Sequence, residues 1–600
     1  MLKRWSQNDS WIACVSIAIS ITLLGWLLWY CRFGFDFTDE GFYLNWISNP
    51  FNYAESSTQF GFIYHPIYLL LDGSIANLRQ LNLVFTYCLA CIAGWALLGK
   101  LFESEGLNFL HRAAIAAALA TSAMVSVVFS GMWLPTPSYN TLAFQGVLVA
   151  TIGLFLVEPY KHSNLLAWIL IGVGGWLTFM GKPTSAVAFA VTATAYLLIS
   201  RIFRLRYVAI TLGIALSLFV LTAFLIDGSI VAFATRLEEG ALLAKVLDND
   251  YTLRRIVRLE DLVLERKLAV ALLILAASVF GAMWIVILDI KAFRKYIPFV
   301  SAAISALGVL AAFNLFQMAQ IRPENRSLLI FAIPLGVVFA GILAHLSTKG
   351  SQKKDFHWPL MVTLLILPYV YAFGTGNNYW TLIGSACLFV IFSGLLTLWP
   401  LAAHPRLGTI LLVVGFTVQA VAFVLLRQGL NSPYRQPQPL YKNDVPTDVG
   451  KFGAMLVMSN IHARYLASAM NVAEKSGFVR GTPVIDLTGR SPGVVYALGA
   501  SSVGAAWMLG GYPGTSDFVS RALKSVPCKQ LVSAWVLTEP QGSQAVPFDV
   551  LKVFGADLAN DYQLVGRLEA PEGRSQYLNK PDREPNEFLQ ACKAAIGERR

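Results

Sequence analysis

Residues 11–43 read WIACVSIAISITLLGWLLWYCRFGFDFTDEGFY, and residues 11–31 of that run carry no charge. About 20 apolar residues in a helix cover the ~30 Å hydrocarbon core of a bilayer. Lys3 and Arg4 precede the run and no small-x-small cleavage site follows it. It therefore reads as a retained anchor rather than a cleaved leader. The chain then changes character at once. Asp36, Asp39 and Glu40 fall within five residues, among Phe33, Phe35, Phe37, Phe42, Tyr43 and Trp46. Aromatic rings favour the headgroup level of a membrane, so a wet, acidic pocket is expected where the first span ends.

The rest of the 600 residues supports a membrane protein. Hydrophobic residues make up 56% and charged residues 14%, against about 25% charged in soluble domains. That composition excludes disorder, collagen-like repeats and a small disulfide scaffold. The net charge of +11 comes without basic, aromatic-interleaved stretches, so no nucleic-acid partner is expected. Residues 431–600 hold 33 charges, whereas the 430 before them hold 48. The expected fold is a polytopic α-helical membrane protein: a transmembrane domain over 1–430 followed by a soluble α/β domain over 431–600. Thirteen spans are expected, near 11–31, 81–99, 113–130, 139–157, 165–180, 183–200, 207–226, 268–288, 297–313, 327–346, 359–373, 378–400 and 407–426.

Orientation follows from loop charge. With the N-terminus in the cytoplasm, inside segments carry 15 Lys and Arg, among them Lys100, Arg112, Arg204, Lys295 and Arg406. The short outside loops carry five: Arg32, Arg79, Lys182, Arg322 and Arg326. The tail then lies outside (N-in, C-out), periplasmic on the inner membrane of a Gram-negative cell. Cys528 and Cys592 are the tail's two cysteines. A disulfide between them suits that compartment, with about 4 kcal/mol of stabilisation in the chain-entropy model.

The outside segments share one chemistry. The loop 32–80 brings the three acids and His65; 131–140 reads GMWLPTPSYN and brings Tyr139 and Asn140; GKPTS brings Lys182. Residues 314–326 bring Arg322, Glu324 and Arg326, and YAFGTGNNYW brings Asn377 and Asn378. Carboxylates accept protons or hold a metal, Lys and Arg bind phosphate, and Asn, Tyr and His hydrogen-bond sugar hydroxyls. Each has a bland alternative: solvated loop acids, lipid-headgroup contacts, turn-forming asparagines. The long loop 227–267 has apolar residues at helical spacing (Leu237, Ala241, Leu242, Ala244, Leu247; then Leu253, Ile256, Val257). Two amphipathic helices on the membrane surface fit that pattern. In the tail, Asp448 is expected to cap a helix over 450–475, and Asp486 and Arg490 to sit where a strand meets a turn.

A first span, an outer loop opening FDFTDEGFY, many further spans and an outer tail together resemble the GT-C class of integral membrane glycosyltransferases. The subgroup resembled is that of bacterial relatives of protein mannosyltransferases and lipid A aminoarabinose transferases. The resemblance covers the order of elements over residues 1–430. It implies a polyprenyl-phosphate-linked sugar as donor, with a glycan, lipid or protein as acceptor and membrane lipids as surroundings. It also implies that Asp39 acts as base or metal ligand, with Glu40 its acidic neighbour and Asp36 a further candidate. The spacing departs from Asp-x-Asp, so a divalent cation on Asp39 and Glu40 is left open. Lys182, Arg322 or Arg326 would offset charge on the leaving phosphate, and a single displacement would invert the sugar. The alternative is a transporter or flippase for an amphiphilic envelope precursor. Against it stand the lack of an internal repeat and span centres nearly free of charge.

Overall fold

A computed structural model of the chain describes residues 7–102, 107–128, 132–157, 164–247, 257, 265–289, 296–314, 323–347, 357–402, 404–451 and 453–597. The first part is helical. Its helices are α1 (Gln7–Tyr30), α2 (Asp39–Ser48), α3 (Phe60–Leu70), α4 (Ile75–Phe102), α5 (Phe109–Val127) and α6 (Tyr139–Leu156). There follow α7 (Leu165–Gly181), α8 (Pro183–Ile199), α9 (Leu205–Asp227), α10 (Ile230–Leu247), α11 (Arg266–Leu288) and α12 (Ile297–Asn314). The last are α13 (Ala332–Ser347), α14 (Trp358–Ala372), α15 (Tyr379–Ser385), α16 (Cys387–Leu396) and α17 (Leu407–Asn431).

All thirteen expected spans fall on these helices, but not all are long enough to cross. Among the described residues, eight helices have the length and apolar composition, or nine if α15 and α16, bent by 63°, count as one broken span. Helices α7, α8, α12 and α14 are shorter apolar helices. At 1.5 Å per residue the 17 residues of α7 reach only about 25 Å. The break comes at Gly181-Lys182-Pro183, where proline opens α8 at its first position. Helix α9 leaves most of its surface uncovered, with Leu216, Phe224 and Leu225 exposed, as a lipid-facing helix requires. One cluster of polar side chains inside the bundle is internally paired. Tyr64 donates to Gln145 (2.8 Å), and Gln145 donates to Asn82 and Thr86 (2.9 Å each).

The loops sort to two ends. At one end the backbone N–H of Gln59 donates to the Met180 carbonyl (2.8 Å), and Thr184 to the Phe373 carbonyl (2.8 Å). There too Tyr434 N–H donates to the Met132 carbonyl (2.7 Å). At the other end Lys100 caps the C-terminus of α6, reaching the carbonyls of Phe155 (3.1 Å) and Val157 (2.8 Å). Arg406 pairs with Asp289 (2.6 Å). One residue counted among the outside loops is placed differently. Arg79 is not a loop residue: α4 starts at Ile75, and Arg79 is buried on it.

The tail begins after α17 with an antiparallel ribbon of β1 (Val445–Asp448) and β2 (Met455–Met458). Asp448 therefore ends a strand. The helix after it, α18 (Asn460–Lys475), is capped by Ser459 instead, whose side chain accepts from the His462 N–H. The main sheet has the order β4 (Ser501–Ser502), β3 (Pro483–Asp486), β5 (Trp535–Thr538), β7 (Arg574–Pro581), β6 (Tyr562–Ala570). Strands β3, β4 and β5 are parallel and the others antiparallel. Alternation along the strands gives the sheet two apolar faces. Val484 and Leu537 meet Tyr465 and Ala469 of α18, whereas Ile485 and Val536 join Phe518 and Phe588 of α20 (Thr515–Lys524) and α21 (Pro585–Ile596). Cys528 and Cys592 are disulfide-bonded, with Cα atoms 5.8 Å apart. The short helix α19 (Pro492–Ala497) docks on α2 so closely that a Cβ on Gly41 would lie 2.1 Å from the Gly493 nitrogen. Asn45 of α2 reaches the Pro492 carbonyl (2.9 Å).

Candidate functional site

The three acids of the first loop end in three different environments. Asp36 is buried, and its carboxylate accepts from the Thr38 hydroxyl (2.8 and 2.9 Å) and from the Glu40 N–H (3.1 Å). It thereby holds the start of α2. Glu40 accepts in return from the Asp36 N–H (3.0 Å), and both its oxygens lie on the guanidinium of Arg79, at 2.7 Å from Nη2. Thr136 also donates to Glu40. Arg79 uses its remaining N–H groups on the carbonyls of Cys31 (2.7 Å), Phe33 (3.2 Å) and Gly34 (2.9 Å). The side chains of this pair are 1% and 2% exposed. Glu40 is therefore a closed structural group that welds α2, α4, the 31–34 segment and PTPSYN together. The proposed pairing of Asp39 with Glu40 around a cation does not fit, because neither Glu40 oxygen is open. No group of three or more metal-ligating side chains occurs among the described residues.

Asp39 is the open acid. It stands in the first turn of α2, where the helix dipole favours an anion. Its Oδ2 accepts from Tyr434 (2.9 Å) and Arg435 (3.2 Å). Its Oδ1 has no protein partner among the described residues. Burial, and then the charge of Asp39, push the Asp36 carboxyl up to about 7.

Four residues on from Asp39, one turn along α2, the Tyr43 ring lies 6.1 Å from that of Tyr139. Lys182 Nζ lies 5.8 Å from the Tyr139 ring centroid and 5.0 Å from that of Tyr371. It donates to the Tyr371 carbonyl (3.3 Å). Burial alone pulls its amine down to about 7. Lys182 lines a cavity of about 620 Å³ with Tyr139, Thr375, Asn377 and Lys245. The cavity is assembled from turns far apart in sequence. Thr184 and Ser185 of GKPTS hold the FGTGNN loop by its carbonyls, and Gly374 (φ +80°) sits so near Thr184 that a Cβ would meet its Oγ1 at 2.3 Å. Its far wall is α10, whose Leu237, Ala241 and Ala244 face the cavity while Leu243 packs on the tail. Arg236 anchors that helix through Asp227 (2.6 Å) and the Tyr53 carbonyl.

Other expected residues are placed elsewhere. His65 bonds the Ile47 carbonyl (2.7 Å) and so ties α3 to α2. Asn378 caps α15, accepting from the Trp380 N–H (2.9 Å), so it does turn work. Asn140 is buried with its side-chain oxygen unpartnered, and Arg326 is buried on the 3₁₀ segment Pro323–Phe331; neither lines the cavity. Arg322 lies outside the described residues, as does most of the second amphipathic stretch in 227–267. Sequence reasoning missed Arg79, Tyr434 and Arg435. Arg79 was hidden by a helix start placed six residues too late. Tyr434 and Arg435, in a Pro-rich linker, carry no local signal of an acid 395 residues away.

No family model matches the sequence, and no curated protein matches it. Among solved structures, the chain is similar to the crystal structure of ArnT from Cupriavidus metallidurans bound to undecaprenyl phosphate. That alignment covers 94% of this chain and 97% of that one, at 12% identity and a TM-score of 0.36. The apo-state structure of the same protein gives 12% identity, the same coverage and a TM-score of 0.34.

Proposed function

We propose that the chain transfers a sugar from a polyprenyl-phosphate-linked donor to an acceptor hydroxyl at the outer face of a bacterial cytoplasmic membrane. One observation carries the reading. An open carboxylate, Asp39, and a buried amine, Lys182, stand at the two ends of a single aromatic wall, Tyr43–Tyr139, at one end of the helical bundle. The cavity has the two characters such a donor needs. Lys182, Thr375 and Asn377 offer donors to a phosphate, and the apolar side of α10 faces the start of an isoprenoid chain.

Asp39 takes the proton of the acceptor hydroxyl as that oxygen attacks the anomeric carbon. The bond to the lipid phosphate breaks, and Lys182 offsets the charge that develops on the leaving oxygen. One displacement by a base-activated acceptor inverts the anomeric centre. Tyr434 and Arg435 fix the Asp39 carboxylate by one oxygen and leave the other for the proton.

Transfer from a labelled lipid-linked sugar, measured beside capture of a photoreactive polyprenyl phosphate, tests these roles separately. Asp39→Asn loses transfer and keeps capture, whereas Lys182→Met loses capture. Normal transfer by Asp39→Asn removes Asp39 as the base. Solute uptake by proteoliposomes lacking any lipid-linked sugar favours a transporter instead.

A further inference from the structure

A second polar cleft, about 320 Å³, opens beside Asp36 and Thr38, between the first loop and the tail. That is the lower end of the size range of small-molecule sites. Its floor is built by Arg490 and Ser491, which follow β3, and by Pro571, Glu572 and Arg574 where β6 turns into β7. Asp486 ends β3, and Glu539 follows β5. Beneath the floor the polar groups are tied into one network. Gln576 donates to Ser491 (2.8 Å) and Glu539 (2.7 Å), accepts from Tyr465, and Arg574 pairs with Glu539 (2.8 Å). The roof is Asp36 and Thr38 from the first loop and Arg435 from the linker. Arg435 belongs to both places, because it also holds Asp39.

The charged groups in the wall are Arg435, Arg490 and Arg574 against Asp36 and Glu572. Glu572 is the informative one. Its carboxylate hangs between two arginines, 3.7 Å from Arg490 Nη2 and 3.6 Å from Arg574 Nε, too far for a hydrogen bond to either. Its side chain is 72% exposed. Arg574 Nε is buried and has no hydrogen-bond partner. Two guanidinium groups thus converge on a carboxylate that neither grips, on a side chain free to swing into solvent. A ligand's anionic group can take that position and gain the close, charge-assisted bonds that Glu572 does not make.

We propose that this cleft is the acceptor subsite and that it recognises an anionic saccharide, one bearing a carboxylate or a phosphate, through Arg490 and Arg574, with Glu572 as a displaceable place-holder. The acceptor role rests on the glycosyl-transfer reading above; the anion site does not. Ser491 belongs to both the cleft lining and that network, and its hydroxyl proton, not used on Gln576, is the one left for a sugar oxygen. The bound sugar lies against the Asp36–Asp39 segment, which brings its hydroxyl to the base.

The test is calorimetric binding of glucuronate and glucose 1-phosphate to the full chain in phosphatidylcholine nanodiscs, with glucose as the neutral control. Both anions bind and glucose does not. Arg490→Gln weakens them at least tenfold, and Glu572→Gln tightens them several-fold. Equal affinity for glucose, no binding of either anion, or the same affinity in both variants as in the parent overturns the proposal. Nanodiscs of phosphatidylglycerol separate the sources of the anion. If they block the probes, the phosphate belongs to a lipid headgroup; if they leave the probes unaffected, it belongs to a water-borne saccharide. Anion binding by a parent chain that transfers no sugar from any lipid-linked donor sinks the glycosyl-transfer reading and leaves this site standing. Transfer by the parent without binding of either anion does the reverse.

Discussion

Asp39 and Glu40 are neighbours in the chain and opposites in the fold. Glu40 is sealed with Arg79, two side chains almost without exposure, with both Glu40 oxygens on the guanidinium and its other N–H groups on backbone carbonyls. Asp39 meets Arg435 through a single contact, with side chains 26% and 46% exposed. The difference is the direction in which each points from the same turn of α2. One faces the bundle, where a charge must be fully paired; the other is partly exposed beside the linker residues Tyr434 and Arg435, where a lone pair can be left for a substrate proton. Two acids in sequence therefore do not make a two-acid site.

The comparison breaks most readily at the sealed pair. Arg79→Ala leaves Glu40 buried without its cation, which costs about 3–5 kcal/mol. The variant is expected at low abundance with a depressed melting temperature. Replacing both partners by methionine recovers most of that stability, because a buried pair contributes little over apolar residues of like size. If Arg79→Ala stays as stable as the parent, Glu40 is not sealed. Asp39→Asn is the counterpart: melting unchanged, transfer down by about 10²–10⁴-fold, the range of a lost general base. An unstable Asp39→Asn protein erases the distinction between the neighbours.

This contrast also marks what the sequence makes legible. The FDFTDEGFY stretch is readable as a set of acids just after a span, and PTPSYN, GKPTS and FGTGNN as polar turns. Their meeting at one cavity rests on contacts that no turn announces, such as Thr184 on the Phe373 carbonyl. Which of three adjacent acids is free depends on a fourth residue, Arg79, on another helix. Helix α4 begins before the apolar run does, so hydropathy alone places Arg79 in a loop. The cap of α18 is misread for a similar reason. Asp448 has the right chemistry, but pairing with Met455 draws it into a strand. Local pattern gives the elements, whereas partners hundreds of residues apart decide which side chains are left open.

Lys182 extends the comparison to a cation. Burial holds its amine down to about 7, against the ordinary 10.5 that it regains on unfolding. Between those values the unfolded chain binds the extra proton, so this group's contribution to stability rises with pH across that window. Lys182→Met removes the effect, and the expected result at pH 7 is a higher melting temperature with weaker donor capture. Donor binding runs the other way in the parent protein. A phosphate prefers the charged amine, so affinity holds below pH 7 and declines above it. Affinity that is flat from pH 6 to 9 shows that Lys182 does not meet the phosphate.

The smallest effect is the sharpest discriminator. Arg435→Ala removes the partner of the open acid, and an exposed pair of this kind contributes about 0–1 kcal/mol, so melting barely moves. The electrostatics change more. Arg435 lowers the Asp36 carboxyl against the combined effects of burial and the Asp39 charge. Without that cation the Asp36 carboxyl takes up its proton at higher pH. Asp36 holds the turn that carries Asp39, so the acid limb of the rate profile moves upward with it, while the rate on the alkaline side is retained. Arg435→Lys restores the charge and brings the limb back. A limb that stays in place in Arg435→Ala would mean that the protonation controlling the rate lies elsewhere than at Asp36, and the turn that carries Asp39 would then work whatever the charge on Asp36.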